Sequence, residues 1–362
     1  MNKFGRKIPF FPVFSLFKMA FQNGGISFGK TPLFIGYVIR YLLLEPFRIA
    51  ELLIYNRRLK NHVLTADPIF ILGHWRSGTS HLQNLIVQDP RNTTTSIYQF
   101  LFFDNYFLSE KWLKKPLNSF CRIFKIPYSF QRTLMNLDLP GELESAMCSM
   151  CSSSSYTWGH IFPSQFEKWS NQFIALNNTR NAESWIEDYD YLIRKLSYGS
   201  KGKQVIVKSP GDTARVEVLL KKYPSAKFIY IHRDPIDVFH SSKYLWNVIQ
   251  QQNSFQRISD DEIDHIVIKT YKLVIDTYLK SRSSIPEGQL VEISFTQIQQ
   301  APLETMKTIY KLLSLGDFPE NKLQPFIKKN ESFKISHYKT SPELLSKLNQ
   351  EWGSCTFELL EK

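Results

Sequence analysis

The residues of this sequence that could do chemistry are concentrated in the segment Pro68–Pro90, PIFILGHWRSGTSHLQNLIVQDP. One fixed cation, Arg76, stands there beside the hydroxyl donors Ser77, Thr79 and Ser80. A guanidinium group offers a planar fork of donors and the hydroxyl groups add more, which together suit a phosphate-like anion. The segment is therefore predicted to bind an anion.

The elements predicted around this segment would offer the same anion backbone donors. Ile69–Leu72 is a short continuous apolar run, which indicates a strand buried on both faces. From Gly78 onward, Leu82, Leu85 and Ile86 follow helical spacing, so the segment is predicted to form a strand, a tight loop and a helix. The first N–H groups of such a helix lack intrahelical partners and lie at the positive end of its dipole, where an anion is stabilised.

The spacing Gly73-x-x-x-x-Gly78-Thr79-Ser80 is close to that of a nucleotide-triphosphate loop. That motif has a lysine where Thr79 stands here, so no ammonium group is available for a γ-phosphate. No convincing acidic strand end is present to hold Mg²⁺, and we expect a ligand that needs no metal. A metal-dependent nucleotide kinase or hydrolase is the alternative among enzymes.

A second stretch places two more basic residues at predicted strand ends. The apolar run Val205–Val207 ends in Lys208, and the run Lys227–Ile231 is soon followed by Arg233. In an open α/β sheet, ligands bind at the carboxyl ends of the strands, so these cations and the loop Gly73–Ser80 are expected at one edge. Three cationic sites at one edge indicate a ligand with more than one anionic group.

At these residues the sequence resembles the sulfotransferase superfamily, which uses 3′-phosphoadenosine-5′-phosphosulfate as sulfuryl donor. The loop Gly73–Ser80 resembles the family's 5′-phosphosulfate loop, and Arg233 with Ser241, eight residues later, matches its 3′-phosphate pair. The resemblance covers roughly residues 68–315 and points to the bacterial and membrane-associated branch. It implies that the donor is bound by Arg76, Ser77, Gly78, Thr79, Ser80, Arg233 and Ser241.

The sequence identifies the catalytic base less clearly than it identifies the donor-binding residues. In many relatives a histidine follows the Lys-Ser-Pro turn, whereas Gly211 and Asp212 stand there in this sequence. The segment Pro140-Gly141-Glu142-Leu143-Glu144 resembles the Pro-x-Glu-x-Glu of bacterial relatives, in which a glutamate is the base. Glu142 is therefore expected to take the proton of the acceptor hydroxyl, with Glu144 as the alternative.

The resemblance implies in-line transfer, in which positioning and electrostatics supply most of the rate, by analogy with phosphoryl transfer. Arg76 and Lys208 are expected to stabilise the negative charge that builds on the bridging and phosphate oxygens. His74, His81 and His232 lie beside the motifs and are rival bases. Each is interpreted as a packing or hydrogen-bonding histidine.

The first 60 residues combine basic, aliphatic and aromatic side chains. They hold ten Lys or Arg residues and two Glu residues, and so carry most of the chain's net charge of +12. Their apolar runs, Ile8–Phe17 and Thr31–Ile39, are too short for the ~20 residues of a spanning helix. We predict a basic amphipathic helical extension over residues 1–62.

The predicted helix of this extension has a narrow polar side. On a helical wheel, Arg40, Arg48 and Glu51 share an arc of roughly 80° and leave a broad apolar face. This pattern is typical of a helix in a membrane interface, with its cations near anionic lipid headgroups. Alternatively, the apolar face packs on the catalytic domain or covers a lipophilic pocket.

Several local elements can also be predicted. Thr93–Gln99 is predicted to be a short strand, Asp260–Ser281 an amphipathic helix and Leu290–Ile293 the last buried strand. Asp212 and Asp234 are each expected to cap the helix that follows. The aromatic residues between positions 100 and 135 indicate either core or a substrate pocket.

At 362 residues, the chain has room for one large domain and an appendage. We predict an α/β, P-loop-like three-layer fold over residues 63–362, with a central, mostly parallel sheet flanked by helices, preceded by the helical extension. The cysteines are too few for a disulfide framework and are expected to be reduced core thiols of a cytoplasmic protein. They are Cys121, Cys148, Cys151 and Cys355.

Together these features predict a sulfotransferase that acts on the hydroxyl group of a lipophilic small molecule, for which a lipid is one candidate. It is expected in the cytoplasm, with membrane-surface contact through residues 1–60. The non-enzymatic alternative is a membrane-surface protein that kept the fold and lost the chemistry. Nucleic acid is not an expected partner, because the positive charge is mixed with aliphatic runs. The acceptor and the oligomeric state are left open.

Overall fold

The computed structural model of the protein describes residues 12–128, 133–329, 338 and 340–353. Residues 1–11 of the predicted extension, residues 129–132 of the aromatic segment and Cys355 lie outside the described residues. The strands are β1 (Ile69–Leu72), β2 (Asn92–Thr93), β3 (Pro127–Tyr128), β4 (Thr133–Leu134), β5 (Gln204–Lys208), β6 (Lys227–His232) and β7 (Leu290–Ser294).

The described helices include two that precede β1. In chain order they are α1 (Pro12–Gln22), α2 (Thr31–Lys60), α3 (Thr79–Ile86), α4 (Ile97–Leu101), α5 (Tyr106–Ile123), α6 (Leu143–Ser149), α7 (Trp158–Ile161), α8 (Phe166–Phe173), α9 (Thr179–Gly199), α10 (Val216–Lys222), α11 (Pro235–Gln252), α12 (Asp260–Ser281), α13 (Phe295–Gln300), α14 (Pro302–Leu313), α15 (Glu320–Lys329) and α16 (Pro342–Trp352).

The chain divides into two units. The helical unit comprises residues 1–64, 95–202 and 245–260, and the sheet unit comprises residues 65–94, 203–244 and 261–362. The division expected at residues 62 and 63, into an extension and a catalytic domain, remains a prediction.

The sheet unit is built on five parallel strands in the order β2-β5-β1-β6-β7. The register pairs Ile71 with Lys208, Leu72 with Tyr230 and His232 with Ser294, so these strands end at one edge. This edge is the one at which open α/β sheets bind ligands. The predicted gathering of strand ends is confirmed.

Alternation along the strands gives the sheet two apolar faces. On one face, Ile71, Ile229 and Ile293 belong to a core cluster that also contains Leu82 of α3 and Ile309 of α14. On the other face, aromatic rings dominate. Tyr230 stacks on Tyr278 of α12, with ring centroids 4.0 Å apart, and Phe70 stacks on Phe228 at 5.6 Å.

The prediction of a strand at Thr93–Gln99 is wrong for most of that segment, because only Thr93 belongs to a strand. The strand stops at Thr93, and α4 begins at Ile97 behind a capping box. The Ser96 side chain accepts from the N–H of Gln99, and the Gln99 side chain accepts from the N–H of Ser96. This reciprocal pair satisfies two backbone donors at the start of a helix, which outweighs the strand-like composition.

In the helical unit, α2 has its polar side turned inward. Arg48 and Glu51 are buried, whereas Leu53, on the opposite side of the helix, is 81% exposed. Arg48 forms an ion pair with Glu45 on the same helix. The expectation that Arg48 lies near lipid headgroups is therefore wrong. No helix among the described residues is long and apolar enough to cross a membrane.

A buried ion pair between Glu51 and Lys195 joins α2 to α9. The Lys195 ammonium group also donates to the carbonyl of Phe103 and lies 4.7 Å from the ring centroid of Tyr106. The second carboxylate oxygen of Glu51 accepts from the N–H of Leu108, at 3.2 Å. Both charges are thus compensated inside the unit, as buried charges must be.

We expect Lys195→Met to lower the free energy of unfolding by about 3–5 kcal/mol, because it leaves the Glu51 carboxylate buried without its partner. The double variant Glu51→Leu/Lys195→Met removes both charges and should recover part of that loss. Urea unfolding followed by circular dichroism gives both values. A double variant that is less stable than Lys195→Met would show that the pair itself does not carry the effect.

Candidate active site

The loop after β1 is shaped by two glycines at positive φ. A Cβ atom at Gly73, whose φ is 140°, would lie 2.5 Å from the carbonyl oxygen of Ile231. A Cβ atom at Gly78, whose φ is 104°, would lie 2.3 Å from the ring of Phe295. Neither position has room for a side chain, and only glycine adopts such backbone angles readily. The loop is therefore packed tightly onto the ends of β6 and β7.

The N-cap residue of α3 is Gly78, which has no side chain with which to cap the helix. Its first backbone donors and the positive end of its dipole remain suited to an anion. Ser77 and Thr79 are buried and Ser80 is half-buried. The Ser77 hydroxyl donates to the carbonyl of His74 at 2.8 Å, a bond that holds the loop together.

Arg76 connects the loop to α11 within the sheet unit. Its Nε atom donates to the Oγ atom of Ser241 at 2.8 Å. Arg76 itself has a φ of 71°, in the left-handed region, which costs about 1–2 kcal/mol for a residue other than glycine. Such strain persists only where the surrounding structure supports it, and it concentrates at functional sites.

Arg233 stands where β6 gives way to α11, and its side chain is held from two directions. Asp237 accepts from its guanidinium at 2.9 Å, and the ring of Phe295 lies under the guanidinium carbon, with the centroid 5.0 Å away. Asp234 accepts from the N–H of Asp237 at 2.9 Å and so caps the helix, as predicted. Arg233 is thereby given one orientation at the edge of the sheet.

Lys208 ends β5 and is buried, and the turn after it contacts the loop. The Thr213 hydroxyl accepts from the N–H of Gly73 at 2.8 Å and donates to the carbonyl of Gly73, 3.2 Å away. Asp212 forms a buried ion pair with Arg215, at 3.1 Å, and does not cap the next helix. The predicted cap at Asp212 is wrong because the carboxylate is used to neutralise a buried guanidinium.

The two acidic candidates lie in the helical unit and differ in environment. α6 begins at Leu143, with Glu142 as its N-cap residue. Glu144 is fully buried and accepts from the hydroxyl of Ser155 at 3.2 Å and from a backbone N–H at 3.4 Å. Glu142 is half-buried and keeps contact with solvent. The more accessible carboxylate is Glu142.

Sequence reasoning missed two residues beside Glu142. Burial lowers the pKa of His160 to about 4, and the Glu142 carboxylate opposes that shift. Burial also raises the pKa of Tyr128, and Glu142 adds to that effect. His160 packs between aromatic rings, with its own ring 5.1 Å from that of Trp246. His160 stands next to no recognisable motif, whereas Tyr128 belongs to the aromatic segment between positions 100 and 135 that was predicted to form core or a substrate pocket.

The rival histidines of the sheet unit are held in the neutral form. Burial lowers the pKa of His74 to about 4, and it lowers the pKa values of His81 and His232. A ring nitrogen of His74 is 2.9 Å from the carbonyl of Trp75, and the His74 ring packs on Tyr271. His74 therefore has the packing and hydrogen-bonding environment that was predicted for it.

Cys121, Cys148 and Cys151 are free thiols. Burial raises the pKa of Cys151 to about 12 and also raises that of Cys148, so both are protonated at neutral pH. Among the described residues, no group of three or more His, Cys, Asp or Glu side chains is arranged to hold a metal ion.

The structure thus gathers the predicted donor-binding residues and Lys208 in the sheet unit, whereas Glu142 and Glu144 belong to the helical unit. Within the sheet unit, the loop contacts α11 through Arg76 and Ser241, and Arg233 shares Phe295 with Gly78. Several guanidinium, ammonium and hydroxyl groups therefore lie around the carboxyl edge of the sheet, an arrangement that suits a polyanionic ligand.

Comparison with known proteins agrees with this geometry. Residues 68–320 match the model of the sulfotransferase family. The match covers more than half of the chain, which therefore belongs to the sulfotransferase family and is an enzyme of that class.

Curated relatives include the omega-hydroxy-beta-dihydromenaquinone-9 sulfotransferases Stf3 of Mycobacterium tuberculosis and Mycobacterium bovis. Each is 28% identical to this chain over 312 residues, which are 83% of this chain and 77% of the relative.

Two solved structures share the fold. Sulfotransferase STF9 from Mycobacterium avium superposes with a TM-score of 0.70 at 16% identity, covering 93% of this chain and 88% of its own. Sulfotransferase STF1 from Mycobacterium tuberculosis gives a TM-score of 0.68 at 14% identity, covering 98% of this chain and 94% of its own. The predicted α/β, P-loop-like fold is confirmed.

We expect Gly78→Ala to lower the free energy of unfolding by at least about 3 kcal/mol, because the new methyl group meets the Phe295 ring and the backbone is strained as well. Gly288→Ala is the matched control, since Gly288 also has a positive φ of 73° but nothing lies within 4 Å of its Cβ position. The control should lose only about 1 kcal/mol. Equal losses in urea unfolding would refute the packing argument.

Proposed function

We propose that this chain transfers the sulfuryl group of 3′-phosphoadenosine-5′-phosphosulfate to a hydroxyl group of a lipophilic small molecule. The observation that carries the proposal is the hydrogen bond between Arg76 and Ser241, at 2.8 Å. It joins the predicted 5′-phosphosulfate loop to one member of the predicted 3′-phosphate pair. A ligand with anionic groups at both ends of an adenosine unit suits two such neighbouring cationic sites.

The proposed donor site uses groups already oriented by the fold. Arg233 and Ser241 bind the 3′-phosphate, and the backbone donors at the start of α3, with Thr79 and Ser80, bind the phosphosulfate. The Ser77 hydroxyl joins them by turning from the carbonyl of His74 to the anion. As the sulfur–oxygen bond to the leaving phosphate breaks, negative charge grows on the bridging oxygen. Arg76 and Lys208 stabilise that charge without reorganising, because both are held in place before the reaction.

Glu142 is the proposed base. The acceptor hydroxyl loses its proton to the Glu142 carboxylate as its oxygen forms a bond to sulfur, and the donor leaves as 3′-phosphoadenosine-5′-phosphate. Glu144 is a weaker candidate, because its carboxylate is enclosed and already accepts from Ser155 and a backbone N–H. The charge of Glu142 acts on two buried groups: it partly offsets the lowering of the His160 pKa by burial and adds to the raising of the Tyr128 pKa.

The proposed acceptor is an alcohol on a long apolar molecule. The Stf3 relatives are named for a hydroxylated menaquinone derivative, which is lipophilic and carries its hydroxyl at the end of a chain. Because the identity is 28%, we carry over to this chain the class of acceptor, a lipophilic alcohol, and not the particular compound.

We further propose that the protein is peripheral at the inner membrane surface and contacts it through residues 1–60. The support comes from α2, where the exposed apolar residues fall within an arc of about 140° on a wheel of ~100° per residue. They are Ile35, Ile39, Leu42, Leu43, Ile49, Leu53 and Ile54. Such an arc suits a helix lying in a bilayer interface.

Arg233→Ala should weaken the binding of 3′-phosphoadenosine-5′-phosphate by about 1.5–3 kcal/mol, the value of a charge-assisted hydrogen bond. Adenosine 5′-monophosphate, which lacks the 3′-phosphate, should bind the variant and the parent equally well. Isothermal titration calorimetry measures both, with Arg180→Ala, an exposed arginine of the helical unit, as the control. If Arg233→Ala still prefers the 3′-phosphorylated nucleotide as strongly as the parent, the assignment of Arg233 is wrong.

Glu142→Gln should lower kcat by about 10²–10⁴-fold, the contribution of a positioned general base, while donor binding persists. The assay supplies 3′-phosphoadenosine-5′-phosphosulfate and an isoprenoid quinone with a terminal hydroxyl, and it follows the sulfated product by mass spectrometry. Unchanged turnover would remove Glu142 as the base. No donor-dependent product from the parent, together with Mg²⁺-dependent turnover of ATP, would favour the nucleotide kinase or hydrolase alternative.

A further inference from the structure

Exposed apolar side chains are distributed very unevenly over the chain. Among the described residues, 20 large apolar side chains are exposed, and 17 of them belong to the helical unit. Scattered exposed apolar residues are ordinary on a protein surface, but a concentration of this kind marks an interaction site. The helical unit therefore carries a surface that is adapted to something other than water.

Not all of this surface lies on α1 and α2. Helix α5 has an apolar stripe of its own, in which Trp112, Phe120 and Ile123 fall within an arc of about 80° at ~100° per residue. Ile123 is 72% exposed, and the next residue, Phe124, is 63% exposed. Leu134, on the strand β4 that follows, is also exposed. Helix α5, Phe124 and Leu134 thus present a second apolar surface outside the predicted extension.

A basic stripe runs beside the apolar stripe of α5. Lys111, Lys115 and Arg122 are all exposed, and they fall within an adjacent arc of about 40°. Lys125, just beyond the helix, is exposed as well. Apolar side chains flanked by cations on one side are the arrangement of helices that lie in an anionic lipid interface.

The apolar stripes of α2 and α5 are continuous with each other. The two helices pack together, and the rings of Phe47 on α2 and Trp112 on α5 are 5.6 Å apart. At the far end of α5, the rings of Phe120 and Phe124 are 4.5 Å apart. The last turn of α2 adds exposed basic residues, Arg57 and Lys60, on the same side as its apolar arc.

We propose that α2, α5, Phe124 and Leu134 form one docking face for the surface of an anionic lipid bilayer. The buried ion pairs of α2 keep its polar side inside the unit, so its apolar side faces outward. The basic stripe of α5 selects anionic headgroups over a neutral lipid or an apolar protein surface. This inference extends the proposed membrane contact beyond residues 1–60 and does not depend on sulfuryl transfer.

The test is vesicle flotation of the full chain, without donor or acceptor. Vesicles of phosphatidylcholine alone are compared with vesicles that contain about 30 mol% phosphatidylglycerol, an anionic lipid. The parent should partition at least tenfold more strongly onto the anionic vesicles. Ile123→Ser/Phe124→Ser should lower partitioning onto these vesicles by about tenfold or more, because less apolar area enters the interface.

Matched variants control for the loss of apolar residues in general. Leu312→Ser/Leu345→Ser removes two exposed leucines of the sheet unit and should partition like the parent. Leu43→Ser/Leu53→Ser changes α2 and should weaken partitioning as the α5 variant does. If the α2 variant loses binding and the α5 variant does not, the assignment of α5 to the docking face is wrong.

A charge-reversal pair tests the basic stripe. Lys115→Glu/Arg122→Glu should lower partitioning onto anionic vesicles by about 30-fold or more, since each basic residue near the surface contributes about fivefold. Lys322→Glu/Lys329→Glu reverses two exposed lysines at the same spacing on α15, and it should have little effect. Equal losses for both pairs would mean that only net charge matters, and the stripe would carry no docking role.

Two further outcomes would overturn the proposal. One is a parent protein that floats with neither kind of vesicle or equally with both. The other is a dimer, detected by light scattering of the parent, that Ile123→Ser/Phe124→Ser converts to a monomer, because the face would then bind a second copy of the chain. Each variant is first shown to bind 3′-phosphoadenosine-5′-phosphate like the parent, so that a folding defect or a failed assignment of function is recognised separately.

Discussion

The ring of Phe295 occupies the space in which any side chain at residue 78 would lie. Because Gly78 has no side chain, the loop before α3 can lie directly against the first residue of α13, and the same ring supports the guanidinium of Arg233. One aromatic side chain thus sets the positions of the loop and of the cation that follows β6. A glycine and an aromatic residue far apart in the chain together define the spacing of two anion-binding elements.

A different constraint organises the helical unit. The ion pair between Glu51 and Lys195 is buried, and a buried carboxylate cannot turn to solvent without losing its partner. It therefore holds the polar side of α2 against α9 and leaves the apolar side outside. The cost of exposing Leu53 and its neighbours to water is considerable, at about 1.5–3 kcal/mol for each large side chain. Docking onto a lipid surface, as proposed, would remove this apolar area from water.

The sequence was informative wherever backbone geometry dictates residue type. Continuous apolar runs located four of the five parallel strands, β1, β5, β6 and β7, and the ends of those strands located Lys208 and Arg233. The bounds predicted for the amphipathic helix Asp260–Ser281 are those observed. The final strand was predicted at Leu290–Ile293 and extends one residue further.

The sequence was less informative where tertiary contacts decide. A helical wheel gives the angle between the polar and apolar sides of α2, but it does not say which side is covered, and Arg48 was misplaced for that reason. Asp212 and Asp234 each stand shortly after a strand, and both were predicted to cap a helix. Asp234 does so in front of Pro235, whereas Asp212 neutralises the buried Arg215, a partner that the sequence does not mark. His160 likewise gained its place beside Glu142 through folding and not through spacing.

Threonine stands at residue 79, where a nucleotide-triphosphate loop has lysine, and the loop therefore obtains its positive charge from another residue. Thr79 is buried, and its methyl carbon would lie 3.0 Å from a Cβ atom at Gly73, so the start of α3 is filled by packing. The charge is supplied instead by Arg76, whose left-handed backbone and bond to Ser241 give it one direction. Ser241 accepts from Arg76, and its hydroxyl can still donate its own proton to an anion. A 3′-phosphate bound by Ser241 would therefore strengthen the hydrogen bond that orients Arg76. Binding of the 3′-phosphate would in this way help Arg76 to stabilise the charge on the phosphosulfate.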